Sequence, residues 1–272
     1  MKDVKVVLPY NEAYIVPIGD IHIGDPQFTQ EAEDKLRGYI NWVKEHENAR
    51  IILMGDIFNM ATITSPSSTF RENERIVKRR QETGYECYGE VDYASELFEP
   101  VKDKIITAIK GNHENRMKKL ADYDPLAVFC KNLGIVYSDI SAVVYAKVGK
   151  PNRKERPSGS SFTYTIYAHH TTGGGGSAGS KINRVDKLRD IVSGCDCYLG
   201  GHNHGLGSSW GSIFTIDKAN CKTSQVKHLL ATTGSYLAYK DGYAEEMMLA
   251  PSKLGSPRIR LSGVKFDLHL SE

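Results

Sequence analysis

Ile15-Val16-Pro17-Ile18-Gly19-Asp20-Ile21-His22 decides how this chain is read. An apolar, partly β-branched run of this length reads as a buried strand, and it stops at a glycine followed by two side chains with metal-binding chemistry. Asp20 and His22 stand two residues apart, so an extended backbone turns them the same way. The arrangement repeats. Arg50-Ile51-Ile52-Leu53-Met54 ends in Gly55-Asp56, and Lys104-Ile105-Ile106-Thr107-Ala108-Ile109-Lys110 ends in Gly111-Asn112-His113-Glu114. Ser161-Phe162-Thr163-Tyr164-Thr165-Ile166-Tyr167-Ala168 ends in His169-His170, and Cys197-Tyr198-Leu199-Gly200-Gly201 ends in His202-Asn203-His204. Alone, each piece has an innocent reading: Asp-x-His as a turn, Gly-Asn-His as a helix cap, His-x-His as a surface strand. Together they read as one metal site, because sheets built with helical crossovers gather ligands outside the carboxyl ends of their strands.

Outward from that stretch, Thr29, Glu31, Ala32, Leu36, Tyr39, Ile40, Trp42 and Val43 form an amphipathic helix running to about His46. Strand, helix and strand up to Gly55-Asp56 make the right-handed crossover of an α/β sheet. Residues 59–99 are a long insertion, loop by composition over 62–69, then a basic helix over 71–81 with Arg71, Arg75, Lys78, Arg79 and Arg80. Those cations read either as a solvated helix face or as a surface above the site for a polyanionic substrate. Helices are expected over 92–102, 115–120, 124–133 and 181–192, and two short strands within 135–148. An exposed connection is expected over 151–160, and strands over 213–216, 226–232 and 259–270. The Gly-rich run 171–180 lacks the Gly-Lys-Ser/Thr ending of a P-loop, so it reads as a loop at the rim of the site.

With 272 residues the chain can bury a full core, and one domain over 1–272 is expected. A net charge of +2 leaves no general polyanion footprint, so any nucleic-acid binding must come from a local patch. Five cysteines, an odd number, argue against a disulfide framework, and Cys195-Asp196-Cys197 fits no zinc spacing. Met1-Lys2-Asp3-Val4-Lys5 opens no signal peptide, and no stretch is long enough to span a bilayer. A cytoplasmic location without membrane contact is the expectation.

The series Asp20-x-His22, Gly55-Asp56, Gly111-Asn112-His113-Glu114, a histidine after a strand, and Gly201-His202-Asn203-His204 resembles the calcineurin-like metallophosphoesterases, in order over roughly 15–205. The resemblance implies an α/β fold of two packed mixed β-sheets flanked by helices, a four-layer α/β/β/α sandwich, with a dinuclear metal centre at the strand ends. Carried onto this sequence, Asp20, His22 and His204 hold one metal, and Asn112, His202 and one of His169 and His170 hold the other. Asp56 bridges them. His169 is preferred because it comes first after its strand. His113 takes the place of the histidine that assists the leaving group or the phosphoryl oxygens. After Gly55-Asp56 stands Ile57-Phe58-Asn59-Met60-Ala61, without the Asp-Arg-Gly of the Ser/Thr phosphoprotein phosphatases, which argues against that branch. The stretches Gly234-Ser235-Tyr236, Tyr243-Ala244-Glu245 and Pro251-Ser252-x-Leu254-Gly255 look similar to bacteriophage or prophage-encoded members, which suggests nucleic-acid or nucleotide phosphodiesters.

The ligand chemistry agrees with that resemblance. Carboxylate, imidazole and amide oxygen without thiolate suit manganese, with iron, zinc, cobalt or nickel as alternatives. Two such ions about 3.5–4 Å apart would hold phosphate oxygens and activate a bridging water for in-line attack. Water bound to a metal ionises near pH ~7, which supplies a metal-bound hydroxide. His113, as imidazolium, would donate a proton or stabilise charge in the transition state. The expected partner is a phosphoester substrate, whether DNA, RNA or nucleotide, and the expected activity is that of a phosphodiesterase or nuclease. A phosphomonoesterase and a catalytically silent metal-binding scaffold are the alternatives.

Overall fold

In a computed structural model of the chain, the structure describes residues 1–61, 86–150, 161–173, 177–240, 245, 248 and 251–271. Its strands are β1 (Lys2–Leu8), β2 (Glu12–Ile18), β3 (Ala49–Leu53), β4 (Ile105–Ala108), β5 (Ser141–Val148), β6 (Phe162–His169), β7 (Cys197–Gly200), β8 (Leu206–Asp217), β9 (Lys222–Thr233), β10 (Arg258–Ser262) and β11 (Leu268–Ser271). Its helices are α1 (Gln30–Glu45), α2 (Glu86–Phe98), α3 (Asn112–Ala121), α4 (Pro125–Leu133) and α5 (Ala178–Asp186). Side chains alternate along a strand, and both faces of β2 and β3 are apolar. Ala13, Ile15 and Ile52 face one way, and Val16, Ile18, Ile51 and Leu53 the other. Such strands need cover on both sides.

The cover comes as layers. Strands β2, β3 and β4 run parallel, β10 adds antiparallel to β2, and the sheet order is β11-β10-β2-β3-β4. A second, six-stranded sheet has the order β1-β5-β6-β7-β9-β8, with β6 parallel to β7 and β7 parallel to β9. The two sheets pack face to face through Ile15, Ile52, Ile106, Val144, Ile166, Leu199 and Leu229. Helices α1, α2 and α4 bury Leu36, Ile40, Leu97 and Phe129 against the outer face of the five-stranded sheet. Val185 of α5 and Leu188 of the following 3-10 turn (Lys187–Asp190) lie against Tyr167, Tyr198 and Leu230 on the outer face of the other. The molecule is thus an α/β sandwich of two packed mixed sheets with helices outside.

Local chemistry places the helix ends where the sequence asks for them. The Thr29 hydroxyl accepts from the Ala32 N–H at the start of α1, with Glu31 and Glu33 in the first turn. Asp124 caps α4 in the same way, Pro125 follows it, and Gly134 at φ 69° ends the helix.

The differences from expectation are also local. Residues 135–148 hold a single strand, β5, because Tyr137 instead bridges Ala108 at the end of β4. The stretch 259–270 divides into β10 and β11, and the helix expected over 181–192 is α5, from Ala178, continued by the 3-10 turn. β1 has no counterpart in the sequence reading. The expected loop over 62–69, the basic helix over 71–81, the connection over 151–160 and Gly174, Gly175 and Gly176 lie outside the described residues. Among those that are described, Cys130, Cys195 and Cys197 are buried free thiols, and no helix is long and apolar enough to cross a membrane.

Candidate metal centre

Parallel pairing gives β2, β3 and β4 a common carboxyl edge, and β6 and β7 share another in the facing sheet. The loops leaving those five strands converge. Gly55 sits at φ 85°, and a Cβ there would lie 2.5 Å from the Gly111 nitrogen; one on Gly111 would lie 2.5 Å from the Asp56 nitrogen. The β3 and β4 loops therefore touch backbone to backbone only because both residues are glycine.

Five candidate ligands occupy the left-handed region that L side chains rarely adopt: Asp20 (φ 50°), His22 (54°), Asp56 (49°), His202 (70°) and His204 (49°). Each costs of order ~1–3 kcal/mol, and such residues concentrate at functional sites. Their side chains form three groups: Asp20 with His22 and His204, His22 with Asp56 and His113, and Asp56 with His170 and His202. Within each group the ligand atoms lie within 4.8 Å of one another. Asp56 and His22 each belong to two groups.

The contacts fit cations. His22 Nε2 stands 3.1 Å from His204 Nε2, and Asp20 Oδ1 is 3.4 Å from the same nitrogen. Asp56 Oδ2 lies 3.1 Å from His170 Nε2, which is 3.2 Å from Asn112 Oδ1. Asp20 and Asp56 are buried, and the buried Nδ1 of His22 has no hydrogen-bond partner among the described residues. Buried carboxylates and facing imidazole nitrogens are costly unless a positive ion satisfies them. The donor set is that of a borderline divalent metal.

Electrostatics divide the imidazoles: burial lowers His22, His113 and His202, while against burial Asp20 raises His204 and Asp56 raises His170. Burial, then the charge of His113, holds the His22 imidazole well below its usual range, and burial does the same more mildly for His113 and His202. Neutral imidazole is the form that binds metal. Burial alone would push the Asp56 carboxyl up, but His170 and His113 hold it well below the usual carboxylate range. Burial works against the His170 imidazolium too, and Asp56 raises it to about 10.

Seven of the eight residues singled out from sequence, Asp20, His22, Asp56, Asn112, His113, His202 and His204, come together here. His169 does not lie among them, whereas His170 does. His169 ends β6 on the same face as Tyr167, toward the outer helices, and its Nδ1 accepts from the Thr171 N–H at 2.7 Å. His170, one residue on, points to the facing sheet, where its Nδ1 meets the Met54 carbonyl at 2.7 Å. The alternation of Ile166 and Ala168 inward against Tyr167 outward was the signal that could have chosen between them.

Sequence reasoning gave no role to Glu114. Its buried carboxylate accepts four backbone N–H groups: Gly111 (2.8 Å) and Asp56 (3.0 Å) on Oε2, Ile57 (2.7 Å) and Phe58 (3.3 Å) on Oε1. It clamps the loop after β3 to the first turn of α3. Its place three residues beyond the helix cap at Gly111 was the available clue. Burial, then Asp56, raises its carboxyl to about 7, opposed by the His170 charge and the Gly111 N–H.

No protein-family model and no curated protein matches this chain. Among solved structures it is similar to the NAD nucleotidase NadN of Haemophilus influenzae, at 12% identity and a TM-score of 0.36, over 96% of this chain and 49% of that one. The chain thus spans about half the length of that protein.

Proposed function

We propose that the chain is a divalent-metal-dependent phosphoesterase that hydrolyses phosphodiesters of nucleic acid or nucleotides. The observation that carries this reading is the meeting of Asp20, His22, Asp56, Asn112, His170, His202 and His204 at the carboxyl ends of strands from both sheets. In this reading Asp20, His22 and His204 would hold one ion and Asn112, His170 and His202 a second, with Asp56 available to either set. Manganese is the first candidate. Such ions supply Lewis-acid charge for the phosphoryl oxygens and acidify water.

The chain's own groups supply orientation and the proton. His113 Nδ1 lies 2.7 Å from the Asn59 carbonyl, so that nitrogen carries the hydrogen and Nε2 is left to face the substrate. The His113 N–H also donates to Asp56 Oδ1 at 2.9 Å, which fixes the start of α3 against the ligand carboxylate. Burial lowers the proton affinity of His113, and an arriving phosphate anion restores it. Protonated at Nε2, His113 would donate to the leaving oxygen or stabilise the charge that develops on the phosphoryl oxygens. Asp20 accepts from the His202 N–H at 2.9 Å, so first and last ligand loops hold each other in place.

The test uses metal-stripped protein reloaded with manganese and offered a bis-aryl phosphodiester, an aryl phosphomonoester and single- or double-stranded DNA. Diester or DNA cleavage that falls by about 100-fold or more in His113→Ala, with metal content retained, is the expected result. Cleavage of the monoester alone would replace the diesterase reading with a phosphatase. No turnover with any loaded metal would reduce the protein to a metal-binding scaffold.

A further inference from the structure

A cation outside the ligand set stands beside it. Lys181, in the first turn of α5, lays its side chain over Gly205, the residue after His204; a Cβ on Gly205 would meet Lys181 Nζ at 2.8 Å. Glycine at 205 is what admits the ammonium group there. No carboxylate pairs with Lys181 among the described residues, and burial, with no neighbouring charge, pushes its pKa down. A partly buried ammonium without an anion is left with the cost of its lost hydration.

The same lysine lines a cavity of about 540 Å³ between α5 and the start of β8. Asn183, Gly205, Ser208, Thr232 and Ser252 line it as well, which offers amide, hydroxyl and backbone donors. Among the described residues no acidic side chain borders the cavity, and no aromatic ring is there to stack a base. Its size is that of a small-molecule site, and Gly205 in its wall directly follows the candidate ligand His204. Such a place suits a compact anion attached to something already held at the metals.

We propose that this cavity is an anion subsite of the metal centre, in which Lys181 binds a second anionic group carried by the phosphoester substrate. The inference builds on the phosphoesterase reading and narrows its substrate class to phosphoesters with a further phosphate or carboxylate. Lys181 acts on affinity and selection, not on the reacting bond.

The experiment measures binding of thymidine 3′,5′-bisphosphate and thymidine 5′-monophosphate to manganese-loaded protein by calorimetry. The wild type should favour the bisphosphate by about tenfold, the scale of one charge-assisted contact, and Lys181→Met should erase that preference. Lys187→Met, which removes an exposed charge of the same sign from the end of the same helix, should keep it. Affinity for the monophosphate reports in each variant whether the metal centre is intact. Equal affinity of the wild type for both nucleotides, or a preference that survives Lys181→Met, overturns the subsite. A Lys181-dependent preference in a protein that hydrolyses none of the phosphoesters offered above would leave the subsite standing and remove the catalytic reading.

Discussion

At the scale of single residues, the centre is held by groups that do not themselves face the substrate. Glu114 is the clearest case, since one carboxylate satisfies four N–H donors on two loops. Glu114→Gln turns an amide donor toward those donors and should cost about 1–3 kcal/mol in urea unfolding, with a matching loss of manganese affinity. The adjacent histidines give a sharper contrast. His170→Ala should weaken metal binding by at least about tenfold, whereas His169→Ala should leave the metal content unchanged, as read by elemental analysis after dialysis. The reverse pattern would restore His169 to the ligand set. The sequence made the ligand types plain because they sit in short, polar breaks after apolar runs. It did not make the 169/170 choice plain, because both residues follow the same strand and only the inward or outward phase of β6 separates them.

Between elements, charge does what apolar packing does not. Lys110, buried just after β4, pairs with Asp124 Oδ2 at 3.1 Å and with Asp139, while the Tyr137 hydroxyl donates to both carboxylates. Burial pushes the Asp124 and Asp139 carboxyls up; the Ala127 N–H on Asp124, and on both the Tyr137 and Lys110 hydrogen bonds with the Lys110 charge, outweigh it and hold both below their usual value. A lowered folded-state pKa means stability that is present above the ordinary carboxylate pKa of ~4 and lost as pH falls through the lower folded values. In metal-free protein, thermal unfolding of Lys110→Met should therefore lag the wild type at pH 7 and match it near pH 2. The β8–β9 arm behaves differently along its length. Its base buries Leu229 between the sheets, while Phe214 and Ile216 near its tip are 72% and 75% exposed. Leu229→Ala should cost about 2–5 kcal/mol and Phe214→Thr less than about 0.5, measured by denaturant titration. Elements with strong apolar periodicity, such as α1 and the five ligand strands, were legible in the sequence. β1 was not, because Lys2, Asp3 and Lys5 interrupt it and only Val4 and Leu8 are buried. Nor was the division of the ligand strands between two sheets, since a parallel strand in either sheet carries the same apolar signature.

Across the whole molecule, the centre joins the two halves of the sandwich: Asp20, Asp56 and Asn112 follow strands of one sheet, His170 and His202 strands of the other. Ions bound there would stabilise the folded chain by mass action, by about 4 kcal/mol at a thousandfold excess over Kd. Manganese should accordingly raise the thermal midpoint, and Asp56→Asn should abolish most of that rise. One pairing described above also sets a timetable. β10 lies against β2, Ile259 opposite Ile15, so the strand that delivers Asp20 acquires its second neighbour from a strand made long after it. During synthesis β2 emerges early and waits, with one edge bare, until Arg258–Ser262 has left the ribosome. A nascent chain stalled before residue 258 would already carry every candidate ligand yet leave the Asp20 strand half-paired, so manganese should protect it from protease far less than it protects the released protein.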